Sequence, residues 1–290
     1  MRAAPAVVLP LLIALAAVAC RRTADGAPAP AARESAPERF EASLTEGDRA
    51  FSQRGDSARL EAALRAYGSA AAQRPGDPAA ETRLARAEAF RALRATSPPV
   101  AREASEASAR AAERALRRLA PAWAEAIDRG EDPAAAAARV DAAGAEPLYF
   151  LAQGTMRAAQ ATGYAAVLAV KDAALAMMAR AAELDERVDA AGPHRALGAW
   201  RAMLPVAAGG GAAASRAHFD RARALAPDEP LARVAEAETW AVLVQDANRF
   251  EALLDEVLAF DAGRAPARAP EADIAKRRAR ELLDRKARLF

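Results

Sequence analysis

The sequence has little of what most catalytic and metal sites are built from. Its 290 residues include one cysteine and two histidines, His194 and His218. Structural and catalytic zinc sites need three or four Cys, His or carboxylate ligands at short spacing, and neither histidine lies in such a pattern. A glycine run at 209–211 lacks the Gly-Lys-Ser/Thr ending of a phosphate loop, and no serine lies in a nucleophile elbow. We therefore expect no catalytic residue, no metal and no cofactor.

Aromatic side chains are also scarce, and neither sign of charge is in large excess. Aromatic residues make up 5% of the chain, and much of its apolar content is alanine, which favours helices over strands. Runs of Val, Ile and Thr with a period of two residues are absent. Lys and Arg number 41 and Asp and Glu 39, so the net charge of +2 argues against nucleic acid as a partner. The composition predicts an all-α fold.

The one long apolar run lies at the N-terminus. Arg2 precedes an apolar segment, 7–19, that ends directly before Cys20. A membrane span needs about 20 apolar residues, so this segment fits a signal peptide better. Small residues before Cys20 resemble a bacterial lipobox, and an exported chain with one cysteine cannot form an internal disulfide. We predict a lipoprotein signal peptide over 1–19 and lipidation of Cys20; a plain secretory signal and an uncleaved anchor helix are the alternatives.

The remaining sequence divides into a tether and a helical domain. Residues 20–39 are rich in Pro, Ala, Gly and charge, which predicts a flexible tether. Apolar residues recur at helical spacing from Phe40 onward, so we expect one helical domain over 40–290. Clusters of Pro, Gly and Asp predict the breaks between its helices. They are RGDSAR (54–59), RPGDP (74–78), TSPPV (96–100), GEDP (130–133), AGAEP (143–147) and LDERVDAAGPH (184–194).

One spacing of small and large apolar residues recurs within the helical part. The copies are Ala63, Tyr67, Ala70 and Pro75; Ser215, Phe219, Ala222 and Pro227; and a partial copy of Ala174, Met178 and Ala181. Steps of four and three put these residues on one helical face, where small side chains let a second helix approach closely. The pattern is typical of tetratricopeptide (TPR) hairpins. It predicts TPR-like helical hairpins stacked into an α-α superhelix; an irregular bundle of alanine-rich helices is the alternative.

Four residues are candidates for binding a ligand or partner. Trp200 and Trp240 are scarce large side chains in an alanine background; the alternative, which the composition favours, is that they fill gaps that alanine leaves in the core. Gln245 and Asp246 lie in a predicted turn between helices, where an aspartate can instead cap a helix.

The C-terminal third resembles a known family. The segments that carry the resemblance include ALGAW (196–200), HFDRARALAP (218–227), VQD (244–246), LLDEVL (253–258) and IAKRRARELLD (274–284). They are similar to the T-component family of TRAP transporters. The resemblance is clear over 192–290 and fainter over 40–190.

The resemblance implies a non-enzymatic binding component, built of TPR-like helices, that works with a TRAP-type periplasmic solute-binding protein or binds a ligand. It implies a lipid-anchored protein facing the periplasm, with the outer membrane favoured over the inner. It also allows a homotrimer around a central opening. The alternative is a structural scaffold lipoprotein that acts in envelope assembly and has no transport role.

Overall fold

The computed structural model describes residues 35–290, and all the regular structure of this part is helical. This confirms the predicted all-α class. The helices are α1 (Ala36–Phe51), α2 (Ser57–Gln73), α3 (Pro78–Arg94), α4 (Pro98–Leu119), α5 (Pro121–Asp128), α6 (Pro133–Ala136), α7 (Ala145–Thr162), α8 (Tyr164–Leu184), α9 (Val188–Ala202), α10 (Ala212–Leu225), α11 (Pro230–Ala235), α12 (Ala247–Leu258), α13 (Ala269–Leu283) and α14 (Lys286–Leu289). A π-helical segment, Glu236–Ala241, follows α11, and five short 3-10 turns lie in the connections.

The segments predicted near the N-terminus fall largely outside the described residues. The predicted signal peptide and Cys20 lie outside the described residues. Helix α1 begins at Ala36, so residues 36–39 of the predicted tether are helical.

The predicted breaks coincide with helix ends, and aspartates cap several of the helices that follow. Asp56 accepts a hydrogen bond of 2.7 Å from the backbone N–H of Ala58 at the start of α2. Asp77 and Asp132 cap α3 and α6 in the same way. A side-chain oxygen at this position satisfies one of the backbone donors that a helix start leaves unpaired.

The recurring small–aromatic–small residues form the packed faces of helical hairpins. Tyr67 of α2 and Phe219 of α10 are at most 2% exposed. Each lies against a glycine of the preceding helix: a Cβ added to Gly47 would come within 2.4 Å of Tyr67, and one added to Gly198 within 3.0 Å of Phe219. Glycine thus lets the α1–α2 and α9–α10 pairs approach closely. Their assignment as TPR repeats stays a prediction.

The beginning and the end of the helical domain contact each other. Arg54, in the turn after α1, forms a two-bonded ion pair with Glu271 of α13, at 3.0 Å to Oε1 and 2.7 Å to Oε2. Beside this pair, Leu60 and Phe90 form a buried cluster with Ile274 of α13. This contact closes the run of helices on itself, and we call the closed arrangement the ring; Ile274, part of the contact, also lines the cavity described below.

Candidate binding cavity

A cavity in the described part of the chain has a volume of about 900 Å³. Its walls come from α3, α7, α9, α11, the π-helical segment and α13 and include Trp200, Val242 and Ile274. Met203 and Leu243 also line it and are 55% and 45% exposed, so the cavity opens to solvent beside them. Its lining mixes apolar side chains with polar and charged ones, and a concave site of this size is large enough for a small molecule.

A narrow polar cavity of about 70 Å³ adjoins the larger one. Five residues line both cavities: Leu93, Gln153, Arg157, Arg195 and Leu231. We call these five residues the neck. Apart from the neck, the narrow cavity is lined mainly by arginines, carboxylates and three phenylalanines: Phe51, Phe90 and Phe150.

A left-handed turn places one of the carboxylates beside the neck. Asp189, Ala190 and Ala191 have φ angles of 47°, 53° and 59°, although none of them is glycine. Left-handed backbone costs roughly 1–2 kcal/mol per residue for residues with a Cβ. Strain of this kind persists only where the surrounding structure enforces it, and it is concentrated at functional sites.

The Asp189 carboxylate is the centre of a buried hydrogen-bond network. The Tyr149 hydroxyl donates to its Oδ2 at 2.8 Å, and Arg195 donates to the same oxygen at 2.8 Å. Arg268 donates to Oδ1 at 3.1 Å. Burial opposes the charged form of Asp189, but Arg195 and Arg268 outweigh it and lower its pKa to about 2. Asp189 is therefore ionised at neutral pH, and it fixes Arg195 at the neck and Arg268 in the narrow cavity.

One face of α7 supplies the opposite side of the neck. Tyr149, Gln153 and Arg157 follow each other at steps of four residues, which is one stripe along a helix. The Gln153 amide donates to the Tyr149 hydroxyl at 2.6 Å. Burial and the nearby Arg195 lower the pKa of Arg157, while Tyr149, Asp189 and Glu238 act in the opposite direction. Arg157 is half-buried, so its guanidinium is only partly withdrawn from solvent.

A second charged group lies on the wall of the larger cavity. Arg278 of α13 donates hydrogen bonds to Glu238 and, at 3.1 Å, to Glu281. All three line the cavity. The group crosses from α13 to the π-helical segment and so holds two walls together.

The residues predicted to bind from the sequence do not all meet at this cavity. Trp200 lines it and is 6% exposed. Trp240 lies outside its lining, where its indole N–H donates to the Ala212 carbonyl at 3.0 Å. Gln245 donates to the Leu289 carbonyl at 3.1 Å, and Asp246 caps α12 through the backbone N–H of Arg249. Binding by these residues stays a prediction.

Sequence reasoning missed most of the polar residues of the neck. Gln153 and Arg157 carried a usable signal, because they follow Tyr149 at steps of four residues on one face of α7. Asp189 carried none, since Asp-Ala-Ala looks like an ordinary helix start.

The two histidines contact each other away from the cavity. Their Nδ1 atoms are 3.0 Å apart, and His194 Nε2 lies 3.4 Å from Glu186. Within residues 35–290, no group of three or more His, Cys, Asp or Glu is arranged to hold a metal ion.

Fold and cavity together define an all-helical ring with an amphipathic cavity of ligand size. The chain matches the family model of the TRAP transporter T-component (TAtT) over residues 65–290 and belongs to that family. The matched region contains every residue that lines the larger cavity. Among curated proteins, none matches the chain. Of the helices in residues 35–290, none combines the length and apolar character needed to cross a bilayer.

Proposed function

We propose that this T-component family member is a non-catalytic binding component of a TRAP transport system. The cavity takes a small ligand, and the outer surface receives a TRAP-type periplasmic solute-binding protein. The observation that carries the proposal is a ligand-sized cavity, walled by Trp200, that lies wholly within the family match. A scaffold without a transport role has no need of such a cavity.

The proposal includes the cellular localisation of the protein. Lipid on Cys20 anchors the chain to the outer membrane rather than to the inner membrane. The helical domain faces the periplasm. Residues 21–34 are long enough to separate this domain from the bilayer surface. A homotrimer of TPR-like subunits around a central opening is part of the same proposal.

The four predicted binding residues take two roles. Trp200 contacts the ligand, because it is the large aromatic side chain in the wall of the cavity. Trp240, Gln245 and Asp246 belong to the partner surface. Gln245 is exposed, and Val244, 37% exposed, and Leu243 precede it, so an apolar patch adjoins the polar turn.

The test is capture of a TRAP-type solute-binding protein from the same genome by the full, lipidated chain. We expect specific binding, measured by co-purification and by calorimetry. Gln245→Asn and Asp246→Ser should weaken it at least several-fold. Asparagine tolerates the left-handed backbone at 245, where φ is 56°, and serine retains the helix cap, so both variants keep the local fold.

Arg65→Ala, on the exposed surface of α2, is the matched control and should bind as the wild type does. A folded, lipidated chain that captures no solute-binding protein would contradict the proposal and favour the scaffold function.

A further inference from the structure

The charges around the neck do not balance, because one arginine has no partner. Four of the arginines that line the narrow cavity form ion pairs: Arg54 with Glu271, Arg86 with Glu146, Arg195 with Asp189 and Arg268 with Glu229. Arg157 is the fifth, and among the described residues no hydrogen bond or ion pair involves its guanidinium.

An unpaired guanidinium in this place requires an explanation. Arg157 is half-buried. Withdrawing a charge from water without a partner is costly, and such charges are commonly paired or bound to a ligand. Asp189 and Glu238 act on Arg157 only from a distance, since each is bonded to another arginine. A free anion could therefore bind Arg157 without displacing an existing contact.

The surroundings of Arg157 restrict what kind of anion fits. Arg157 lines both cavities, so an anion bound to it at the neck faces the larger one. There the walls include Trp200, Val234, Val242 and Ile274. A small hydrated anion would leave these apolar walls uncovered, whereas a neutral lipid would leave Arg157 unpaired.

We propose that the cavity binds an amphipathic monocarboxylate, with its carboxylate on Arg157 and its apolar chain along Trp200, Val242 and Ile274. This inference rests on the proposed ligand-binding role of the cavity and names its ligand class. A single negative charge balances Arg157, the one neck arginine without a partner among the described residues; Arg277, which also lines the larger cavity and forms no ion pair within that part of the chain, is exposed to solvent. The planar guanidinium can bind the two oxygens of a carboxylate at once. The Gln153 amide, one helical turn away on α7, lies beside the same position.

Calorimetric titration of the full chain with three probes that carry ten-carbon chains tests the proposal. Decanoate carries the predicted head group, 1-decanol removes its charge and decyltrimethylammonium reverses it. Acetate, as a fourth probe, retains the head group without the chain. We expect decanoate to bind about ten-fold or more tightly than 1-decanol, because a charge-assisted pair contributes at least that factor. Acetate and decyltrimethylammonium should bind far more weakly.

Two substitutions at Arg157 separate charge from shape. Arg157→Met keeps most of the side-chain length but removes the charge, and it should weaken decanoate binding about ten-fold without changing 1-decanol binding. Arg157→Lys should recover part of the loss. Arg65→Met, outside the cavity, should leave both affinities unchanged, and circular dichroism and the melting temperature report whether each variant is folded.

Equal binding of decanoate and 1-decanol, or an unchanged decanoate affinity in folded Arg157→Met, would overturn the proposal. So would the absence of decanoate binding to the wild type. These results are independent of the capture of a solute-binding protein. A chain that captures that protein but does not distinguish the probes disproves the ligand class alone. A chain that prefers decanoate through Arg157 but captures no partner disproves the transport partnership alone.

Discussion

At the scale of single residues, Asp189 combines a strained backbone with a fully used carboxylate. Its left-handed φ of 47° turns the chain so that both carboxylate oxygens accept hydrogen bonds from α7, from α9 and from Arg268. Charge-assisted hydrogen bonds are each stronger than neutral ones, so three donors together can offset the strain of the turn. We infer that the turn positions Arg195 at the neck, with Tyr149 bonded to the same carboxylate.

The histidine pair predicts a pH dependence of stability. Burial, together with the charges of His194 and Arg201, lowers the pKa of His218 from its ordinary 6.5 to about 4. The folded state therefore binds fewer protons than the unfolded chain, and stability is complete above pH 6.5 and falls as the pH decreases towards 4. Glu186 and Arg221 are the other charged groups beside the pair, and Glu186 partly offsets the lowered pKa of His194.

Melting curves between pH 7.5 and 5 check this prediction. The melting temperature of the wild type should fall over this range by about 2–4 °C more than that of His218→Gln. The slopes are compared rather than the absolute values, because the variant also loses the contact between the Nδ1 atoms. Parallel slopes would show that folding does not lower the pKa of His218.

At the scale of the helical hairpin, the close approach of α1 and α2 depends on Gly47. A Cβ there would lie 2.4 Å from Tyr67, whose buried ring cannot move aside freely. Gly47→Ala should therefore lower the free energy of unfolding by about 1–3 kcal/mol through overpacking. Gly68 is the matched control, because a Cβ there meets nothing within 4 Å, and Gly68→Ala should raise stability by up to about 1 kcal/mol.

Urea unfolding of the two variants decides the point. Equal effects at the two positions would show that the first hairpin does not need a glycine at its crossing.

The left-handed turn in α9 predicts an opposite response to glycine. Ala190 has φ 53° and ψ 62°, which glycine adopts without steric cost. We expect Ala190→Gly to raise the free energy of unfolding by about 0.5–1 kcal/mol, as relief of strain outweighs the added chain entropy. Ala169→Gly, at an exposed position inside α8, should lower it by about the same amount. Destabilisation by both variants, seen in urea unfolding, would contradict a strained turn.

Local sequence patterns predicted the elements and their contact faces but not the neck. The small–aromatic–small spacing identified residues that are now seen buried, such as Ala63, Met178 and Ala222, because helix packing repeats with the helical period. The neck escaped prediction for two reasons. A left-handed turn of Asp and Ala has no composition signal, and the lack of a partner for Arg157 is visible only in the three-dimensional structure.

At the scale of the whole molecule, the ring depends on a contact between residues 217 positions apart in the chain. Arg54 and Glu271 are 7% and 5% exposed, and the Arg54 guanidinium also lies 4.8 Å and 5.2 Å from the centres of the Phe51 and Phe90 rings. No local pattern predicts such a pair, since charged residues are normally expected at the surface. Arg54 and Glu271 also line the narrow cavity. The ion pair that closes the ring therefore also forms part of the wall of the site.

The closure can be measured with a double-mutant cycle. Arg54→Met leaves the buried Glu271 with only Arg268, 3.5 Å away, and should lower the free energy of unfolding by about 3 kcal/mol. Glu271→Leu should cost a similar amount, because it leaves Arg54 unpaired. The double variant should be at least about 1 kcal/mol more stable than the sum of the two losses predicts, since it leaves neither charge without its partner. Arg49→Met is the control: Arg49 and Glu46 form a pair with exposed side chains, and its loss should cost less than about 1 kcal/mol. If the losses at Arg54 and Glu271 simply add, the pair does not hold the ring closed, and the Leu60, Phe90 and Ile274 cluster must do so alone.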